Sequence, residues 1–228
     1  MADLSDWTLI FDLDGTLVES APDLHAALNH TLAYKGLEPV ALSDIRMMIG
    51  DGAKALIRKG IRHNQRDVDE SEVDSVLWPV FIDHYLANIT RLSHLFEGTR
   101  SALETLKSNG ARLAVCTNKA QVLALEVLNG LDVLHHFETV VGGDITVNKK
   151  PSGDHILETL ALAGGKRGHA IMIGDSTTDE RAARDAKLPY IFVTFGYGVL
   201  EGKPGSDCVV IDHWQDMEAA VRQLTPTN

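Results

Sequence analysis

TLIFDLDGTL, at residues 8–17, is the stretch around which the rest of the chain is arranged. Its apolar run, Leu9 to Phe11, is typical of a strand buried on both faces of a parallel sheet. Asp12 and Asp14 follow, and residues two positions apart in an extended segment point to the same side. Gly15 then permits a sharp turn of the backbone. The stretch therefore predicts a buried strand whose end delivers two carboxylates to one pocket.

The pair of aspartates suggests a bound cation. Two carboxylates held close together repel each other unless one is protonated or a cation joins them. Mg²⁺ is bound in proteins by one or two carboxylates together with phosphate and water oxygens. Asp12 and Asp14 therefore suggest a magnesium site, while the plainer alternative is an ordinary strand that ends in an Asp-Gly turn.

The composition limits the classes of partner. The chain has 228 residues, and its 44% hydrophobic and 23% charged residues are ordinary for a globular protein. The 32 acidic and 21 basic residues give a net charge of −11, which opposes binding to nucleic acid or to an anionic membrane. A small anionic ligand remains compatible, because a local cation reverses the field inside a pocket. The composition leaves the oligomeric state open.

Several features favour a cytoplasmic location. The acidic start, MADLSD, lacks the basic and apolar regions of a signal peptide, and no apolar run approaches the roughly 18 residues of a membrane span. Cys116 and Cys208 both lie in apolar runs, so we expect two buried thiols and no disulfide. We expect the adjacent His135 and His136 to form a solvated helix end, since no metal-binding spacing surrounds them.

The periodicity divides the chain into two regions. From about residue 22 to residue 91 the pattern is helical, with Pro79 expected to kink or divide a helix and with Met47 and Met48 expected in the core. From about Gly98 helices alternate with strands, which indicates βαβ units and a parallel sheet covered on both faces. Because the first strand belongs with the later ones, the helical region is an insertion. We therefore predict an α/β fold in which a Rossmann-like parallel-sheet core, residues 1–18 and 92–228, carries an all-helical cap, residues 19–91.

Polar residues follow the predicted strands. Ligands bind beyond the carboxyl ends of the strands in an open parallel sheet. The second strand is followed by Thr117-Asn118-Lys119, the third leads to Lys149-Lys150-Pro151, and the fourth is followed by residues 174–179, GDSTTD. Each segment alone has a structural explanation as a helix cap or a solvated loop. Because all of them fall at equivalent strand ends, a shared site is the better interpretation.

Four segments resemble, in order, the four motifs of the haloacid dehalogenase superfamily of phosphatases: residues 12–16 (DLDGT), Thr117-Asn118, Lys150-Pro151 and residues 174–179 (GDSTTD). The resemblance covers essentially the whole chain. Residues 115–119 (VCTNK), 142–144 (GGD) and 193–198 (VTFGYG) are similar to the phosphoglycolate phosphatase branch, which carries a helical cap between its first two motifs. Two positions depart from the branch: Gly153 stands where a proline is usual, and Lys187 stands where a glycine is usual. Both departures concern helix packing and leave the reaction class unaffected.

The resemblance implies the roles of the site residues. Asp12 is the nucleophile that forms an aspartyl-phosphate, and Asp14 is the general acid and base. Thr117 and Asn118 bind phosphoryl oxygens, and Lys150 neutralises charge that develops during transfer. The predicted cofactor is Mg²⁺, and its expected ligands are Asp12, Asp175, the backbone carbonyl of Asp14 and, directly or through water, Asp179.

The expected substrate is a small phosphorylated metabolite, with 2-phosphoglycolate as the best candidate. In the cap, Gly50 and Gly52 permit close backbone approach, and Arg46 offers a charge for a second anion; all three are predicted to bind substrate. Lys54 and Arg58 add positive charge, or form a solvated helix face. The alternatives within the superfamily are a pyrophosphatase and a sugar phosphomutase, and a phosphonate hydrolase is disfavoured because no Schiff-base lysine is identified. A receiver-like signalling domain is disfavoured because it would be about half as long and would have no cap.

Overall fold

The computed structural model describes residues 3–200 and 202–225. The strands, in chain order, are β1 (Thr8–Phe11), β2 (Val18–Glu19), β3 (His94–Leu95), β4 (Arg112–Thr117), β5 (Thr139–Gly142), β6 (Ala170–Gly174), β7 (Tyr190–Val193) and β8 (Cys208–Ile211). The helices are α1 (Ala21–Tyr34), α2 (Leu42–Arg46), α3 (Ala53–His63), α4 (Glu70–Glu72), α5 (Trp78–Ala87), α6 (Thr99–Ser108), α7 (Gln121–Gly130), α8 (Gly153–Leu162), α9 (Thr177–Ala186) and α10 (Met217–Leu224).

β1 lies in the interior of the main sheet. Within the described residues, six strands form this sheet in the order β5-β4-β1-β6-β7-β8, and every neighbouring pair is parallel. Phe11 is aligned with Val115 of β4 on one side and with Ile173 of β6 on the other. The predicted α/β fold class is confirmed, and the strand that carries the DLDGT motif is buried on both faces.

Alternate residues of β1 pack into the two apolar layers of the core. Leu9 and Phe11 belong to a buried cluster with side chains of α6, α7 and α10, whereas Ile10 belongs to a second cluster with side chains of α8 and α9. Residues one position apart in a strand point to opposite faces, so each layer receives every second side chain. Helices on both faces leave the edge at the carboxyl ends of the strands open for a site.

The chain between β2 and β3 is helical. β2 pairs antiparallel with β3, with Val18 opposite Leu95 and Glu19 opposite His94, so the outgoing and returning segments lie side by side. α1, α3 and α5 contribute to an apolar cluster separate from the two sheet layers, with Leu28, Ile57 and Phe81 fully buried. These helices form the predicted cap, while its boundaries at residues 19 and 91 stay a prediction.

Several local expectations need correction. Met47 is 74% exposed because it follows α2, in which only Ile45 is buried, so its predicted place in the core is wrong. His136 is buried in a short 3₁₀ turn, Leu134–His136, so the predicted solvated end holds only for His135. Both cysteines are free thiols as expected, but Cys208 is only partly buried.

Pro79 is accommodated by a wider helical turn immediately before α5. Residues Val73–Leu77 form a π-helical turn between α4 and α5, closed by the N–H of Trp78 bonding to the Val73 carbonyl. Proline has no N–H to donate and its ring clashes with the carbonyl four residues earlier, here that of Ser75. A wider π turn is a known way to accommodate such a break. The predicted division of this helix by Pro79 therefore takes the form of a π turn.

Candidate active site

Three buried carboxylates meet at the carboxyl edge of the sheet. Asp12 follows β1, Asp175 follows β6, and Asp179 lies in the first turn of α9. Because β1 and β6 are neighbours, their ends bring Asp12 and Asp175 together. One carboxylate oxygen from each of the three acids lies within 4.8 Å of the others. The structure thus places three of the four residues predicted to bind metal in one cluster.

The Asp175 carboxylate is oriented by the loop that follows β7. Its Oδ2 atom accepts hydrogen bonds from the N–H groups of Tyr197, at 2.7 Å, and Gly198, at 3.2 Å. The Thr16 hydroxyl donates to Oδ1 at 3.4 Å. Gly15 has a φ of +86°, and a Cβ at that position would lie 2.4 Å from Oδ2 of Asp175. Only glycine therefore fits this backbone position beside the carboxylate.

Asp179 is held by the start of its own helix. The Ser176 hydroxyl donates to its Oδ2 atom at 2.6 Å, and the Ser176 N–H donates to the same atom at 3.2 Å. Together with the bond from the Asp179 N–H to the Ser176 hydroxyl, these contacts form a capping box. The other oxygen, Oδ1, remains directed to the acid cluster and to Lys150.

Lys150 neutralises part of the cluster. Its ammonium lies 2.9 Å from Oδ1 of Asp12 and 2.7 Å from Oδ1 of Asp179, and its side chain is 1% exposed. Burial alone would lower the pKa of Lys150, but the carboxylates of Asp12 and Asp179 outweigh burial and hold the pKa above its ordinary value. Lys150 is therefore a fixed cation in direct contact with the predicted nucleophile.

His155 positions the loop that carries Lys150. Its Nδ1 atom accepts a hydrogen bond from the Lys150 backbone N–H at 3.3 Å, so Nε2 carries the proton and donates to the Val141 carbonyl at 3.1 Å. Burial, aided by the charge of Lys150, lowers the pKa of His155 to about 4. The ring is therefore neutral at physiological pH and keeps one nitrogen as an acceptor.

The acid cluster fits a divalent cation. Burial raises the pKa of Asp12 to about 6 even though Lys150 opposes the shift, and burial together with the charge of Asp179 raises the pKa of Asp175 to about 8. Oδ1 of Asp12 is close to the Lys150 ammonium but lacks hydrogen-bond geometry, so this buried oxygen has no hydrogen-bond donor. Three converging carboxylates, one with an unused oxygen, are a donor set that suits Mg²⁺.

Asp14 lies to one side of this cluster and contacts a second buried lysine. Its Oδ1 atom accepts from the Ser20 hydroxyl at 2.6 Å, and the ammonium of Lys119 lies 3.1 Å from Oδ1 and 3.2 Å from Oδ2. The same ammonium donates to the hydroxyl of Tyr85, on α5 of the cap, at 2.9 Å. The predicted acid and base residue is therefore held by one core lysine and by the segment that leads into the cap.

Thr117 and Asn118 lie at the end of β4, beside Asp12. The Thr117 hydroxyl oxygen accepts the backbone N–H of Lys119 at 3.2 Å. The side-chain amide of Asn118 donates to the carbonyls of Gly50, at 3.0 Å, and Lys150, at 2.9 Å. Asn118 therefore joins the cap loop to the loop that carries Lys150.

The cap residues predicted to bind substrate have different places. Gly50 and Gly52 line a cavity of about 30 Å³ together with Asp12, Asp14 and Thr117. Arg46 is not among the lining residues; its guanidinium contacts Glu19 at 3.0 Å and its side chain is 47% exposed. A role for Arg46 in substrate binding stays a prediction.

The other two basic residues of the cap are paired with acids on the cap itself. Lys54 contacts Asp74, and Arg58 contacts Glu70, each at 2.7 Å. The structure thus agrees with the alternative in which these two cations form part of a solvated helix face.

The sequence interpretation missed four residues of the site. Lys119 was visible as the second residue after β4. Tyr85 stands one helical turn after Phe81 and two turns after Leu77, where a polar tip on a buried stripe is a signal. Tyr197 lies in the VTFGYG segment, but its contact with Asp175 is made by the backbone N–H, so its side chain gave no sign of that role. His155 gave none either, since its partners come from β5 and the following loop.

Comparison with known proteins identifies the family. The family model described as "Haloacid dehalogenase-like hydrolase" matches residues 9–193, which is most of the chain. The chain belongs to the haloacid dehalogenase-like hydrolase family. The resemblance inferred from the four motifs is thereby confirmed.

Individual relatives of this hydrolase cover nearly its whole length. A phosphoglycolate phosphatase of Caulobacter vibrioides is 42% identical over 224 residues, or 98% of this chain and 94% of the relative. One from Agrobacterium fabrum is 40% identical over 212 residues, or 93% and 91%. The crystal structure of a predicted phosphoglycolate phosphatase from Haemophilus somnus is 28% identical with a TM-score of 0.84, covering 93% of this chain and 96% of that chain. The chain is accordingly a phosphatase of this family, a phosphoric monoester hydrolase.

Among residues 3–200 and 202–225, no helix combines the length and the apolar character needed to cross a bilayer.

Proposed function

We propose that the chain is a Mg²⁺-dependent phosphatase that hydrolyses a small phosphorylated metabolite, 2-phosphoglycolate being the best candidate, through an aspartyl-phosphate. The observation that carries this proposal is the placement of Asp12 in contact with Lys150 and beside two further buried acids, with Asp14 two residues away. A nucleophile, a fixed cation, a cation-binding cluster and a proton donor are the parts that phosphoryl transfer requires.

The first step transfers the phosphoryl group to Asp12. A carboxylate oxygen of Asp12 forms a bond to phosphorus while the bond from phosphorus to the ester oxygen breaks. The electron pair stays on the leaving oxygen, which takes a proton from the carboxyl group of Asp14. Lys150 and the Thr117 hydroxyl, with the Asn118 N–H, neutralise charge on the phosphoryl oxygens.

The second step regenerates the enzyme. Water attacks the phosphorus of the aspartyl-phosphate and gives a proton to the carboxylate of Asp14, while the bond between phosphorus and the Asp12 oxygen breaks. Inorganic phosphate leaves, and both aspartates return to their initial states. A single residue thus serves as acid in one step and as base in the next.

The metal site in this proposal is formed by Asp12, Asp175 and the backbone carbonyl of Asp14, with Asp179 in support. When bound, Mg²⁺ shields the negative charges of nucleophile and phosphate from each other. Ser176, Thr16 and the N–H groups of Tyr197 and Gly198 hold two of these carboxylates in place before any ligand arrives. Asp175 and Asp179 therefore need little reorganisation to receive a cation.

The choice of substrate is supported by the relatives and by the position of the cap loop. The two relatives that are 40% and 42% identical are phosphoglycolate phosphatases. Gly50 and Gly52 bring the cap loop against Asn118, so that the cap, residues 19–91, encloses the part of the substrate beyond the phosphate.

Two free cysteines agree with a cytoplasmic location, which we also propose.

A panel of phosphate compounds with Mg²⁺ tests the proposal. Initial rates are compared for 2-phosphoglycolate, pyrophosphate, hexose phosphates and ethyl phosphate, with the Asp12→Asn variant as the blank. We expect the highest kcat/KM for 2-phosphoglycolate. A higher value for pyrophosphate supports the pyrophosphatase alternative, and interconversion of hexose phosphates without phosphate release supports the phosphomutase.

A further inference from the structure

Lys119 is a buried cation that the proposed reaction does not yet use. Its side chain is 3% exposed, and it lines the same cavity as Asp14, Gly50 and Gly52. Among the described residues that line this cavity it is the one with a positive charge. Lys150 lies deeper, on the acids of the metal cluster. Lys119 is therefore placed to meet the part of a substrate that extends beyond the phosphate.

The contacts of Lys119 come from both parts of the molecule. Its ammonium contacts both carboxylate oxygens of Asp14, at 3.1 and 3.2 Å, in the core. It also donates to the Tyr85 hydroxyl at 2.9 Å and lies 4.7 Å from the centre of the Tyr85 ring, on the cap. A lysine ammonium has three protons. Tyr85 can therefore keep its contact while the Asp14 carboxylate is replaced by another anion.

The Asp14 contacts in this structure do not suit catalysis. Both oxygens of Asp14 are engaged, Oδ1 by Ser20 and Lys119 together and Oδ2 by Lys119, so a leaving oxygen would have to compete with Lys119 for Asp14. Proton transfer from Asp14 to a leaving oxygen therefore requires Lys119 to shift away from at least one Asp14 oxygen.

We propose that Lys119 binds the second anion of the substrate, a carboxylate, and releases Asp14 by doing so. This inference rests on the proposed function and specifies its substrate class as a phosphorylated carboxylic acid. The ammonium exchanges one carboxylate partner, Asp14, for another, and Tyr85 holds it during the exchange. Asp14 keeps its bond to Ser20 and gains a free oxygen for the leaving group.

The exchange links substrate recognition to the chemical step. A substrate without a second anion gives Lys119 no new partner, so Lys119 remains on Asp14 and the acid is engaged during phosphoryl transfer. Such a substrate must show a lower kcat as well as a higher KM. A cation that merely attracts the substrate would change KM alone, because it would act equally on ground state and transition state.

The first experiment uses the unmodified enzyme with Mg²⁺. Its substrates are 2-phosphoglycolate, the neutral amide of the same acid, and ethyl phosphate. We expect kcat/KM for 2-phosphoglycolate to exceed both others by about 10- to 100-fold, the usual range for one charge-assisted hydrogen bond, with part of the difference in kcat. Equal values for the acid and its amide overturn the inference. Absence of hydrolysis of every phosphate ester overturns the proposed function itself.

The second experiment uses Lys119→Met, with Lys35→Met as the matched control. Lys35 is a cap lysine paired with Glu72 and does not line the cavity. For Lys119→Met we expect kcat/KM for 2-phosphoglycolate to fall about 10- to 100-fold, while that for ethyl phosphate stays within about threefold or rises. A parallel loss for both substrates indicates a merely structural lysine and overturns the inference.

Tyr85→Phe and Arg46→Ala complete the test. Tyr85→Phe removes one hydroxyl and leaves the charge of Lys119, so we expect a partial loss of the preference for 2-phosphoglycolate over ethyl phosphate. If Lys119→Met does not fold, Tyr85→Phe alone tests whether Lys119 binds the carboxylate. Retention of the full preference in Tyr85→Phe would overturn the role given to this pair. If Arg46→Ala removes the preference and Lys119→Met keeps it, the second anion is bound by the cap arginine and the inference is wrong.

Discussion

The edge of the core and a solvent-exposed face of the cap both pair cations with acids, in opposite settings. At the core edge, the side chains of Lys150 and Lys119 are 1% and 3% exposed, and their partners come from other strand ends. On the cap, Arg58 is 26% exposed and its partner Glu70 is 58% exposed. The same two kinds of charge therefore meet once in a water-poor site and once in solvent.

The difference decides which charges matter for function and stability. Removing one partner of a buried ion pair leaves an uncompensated charge and costs about 3–5 kcal/mol, whereas exposed pairs contribute about 0–1 kcal/mol. Buried charges are also the ones whose interactions with a reacting phosphate are not screened by water. The comparison thus predicts large effects at the core edge and small ones on the cap.

The largest expected effect belongs to Asp12. Asp12→Asn removes the proposed anionic nucleophile while keeping the size of the side chain, and the neighbouring acids Asp14, Asp175 and Asp179 have other roles in the proposed reaction. We expect hydrolysis of an aryl phosphate to fall below a few per cent of wild type, on the order of the losses seen for catalytic nucleophiles. A melting curve close to that of wild type is the control for folding. Substantial remaining turnover would show that Asp12 is not the nucleophile.

The next effect concerns the metal. We expect activity to be lost in excess chelator, restored by Mg²⁺, and low with Ca²⁺, which takes 6–8 looser ligands at longer distances and engages the Asp12 carboxylate more fully. Rates with a fixed substrate across a metal titration measure this. Full activity in chelator would contradict the assignment of the acid cluster as a metal site.

Lys150→Met tests the buried cation directly. We expect kcat to fall about 10²- to 10³-fold, the range for loss of one group that stabilises charge in the transition state. Without metal, the free energy of unfolding should fall by about 3–5 kcal/mol, because Asp12 and Asp179 lose their shared partner. Lys35→Met on the cap is the control, and similar stability losses for the two variants would show that burial does not set the importance of these cations.

A moderate effect is expected from pH in the absence of metal. The folded-state pKa values of Asp12 and Asp175 are raised from 3.8 to about 6 and about 8. A carboxyl with a raised pKa stabilises the fold below its unfolded pKa, and this contribution is lost as pH rises through the folded value. In chelator, Tm should therefore fall between about pH 4 and pH 8, and Mg²⁺ should raise Tm more at pH 8 than at pH 5.

Asp175→Asn provides the control for that profile. It removes the group with the higher pKa, so the fall in Tm toward pH 8 should become smaller. A Tm in chelator that rises with pH over the whole interval would mean that the acids are ionised in the folded protein without a cation.

The same contrast explains which parts of the site could be predicted from the sequence. Topology brings equivalent strand ends together, so Asp12, Thr117 and Asp175 needed only correct strands to be placed in one site. Lys119 could be located by the same argument, yet its partner Tyr85 comes from a distant helix of the cap, and no local pattern gives that contact.

The cap shows where the sequence was insufficient. Arg46, Lys54 and Arg58 form a cluster in sequence, but the direction of a long side chain depends on acids from other segments, here Glu19, Asp74 and Glu70. The backbone of Gly50 and Gly52 was easier to place, because a loop with two glycines between helices permits close approach whatever its neighbours are.

The smallest expected effect lies in the Arg58–Glu70 pair. The pair joins α3 to α4 across 2.7 Å, but both groups are partly solvated and the attraction is screened by salt. Arginine and alanine have similar helix propensities, so Arg58→Ala tests the ion pair with little change in the backbone. We expect the free energy of unfolding to fall by about 0–1 kcal/mol and kcat/KM to stay within about twofold.

A double-mutant cycle with Glu70→Ala isolates the pair, and Arg62→Ala provides the comparison. Arg62 is exposed on the same helix and has no acidic partner within 4.0 Å in the part of the chain that the structure describes. The coupling between Arg58 and Glu70 should be below about 1 kcal/mol and should shrink further at high salt. A coupling as large as that at Lys150, or a selective loss of activity toward 2-phosphoglycolate in Arg58→Ala, would give this face of the cap a part in catalysis.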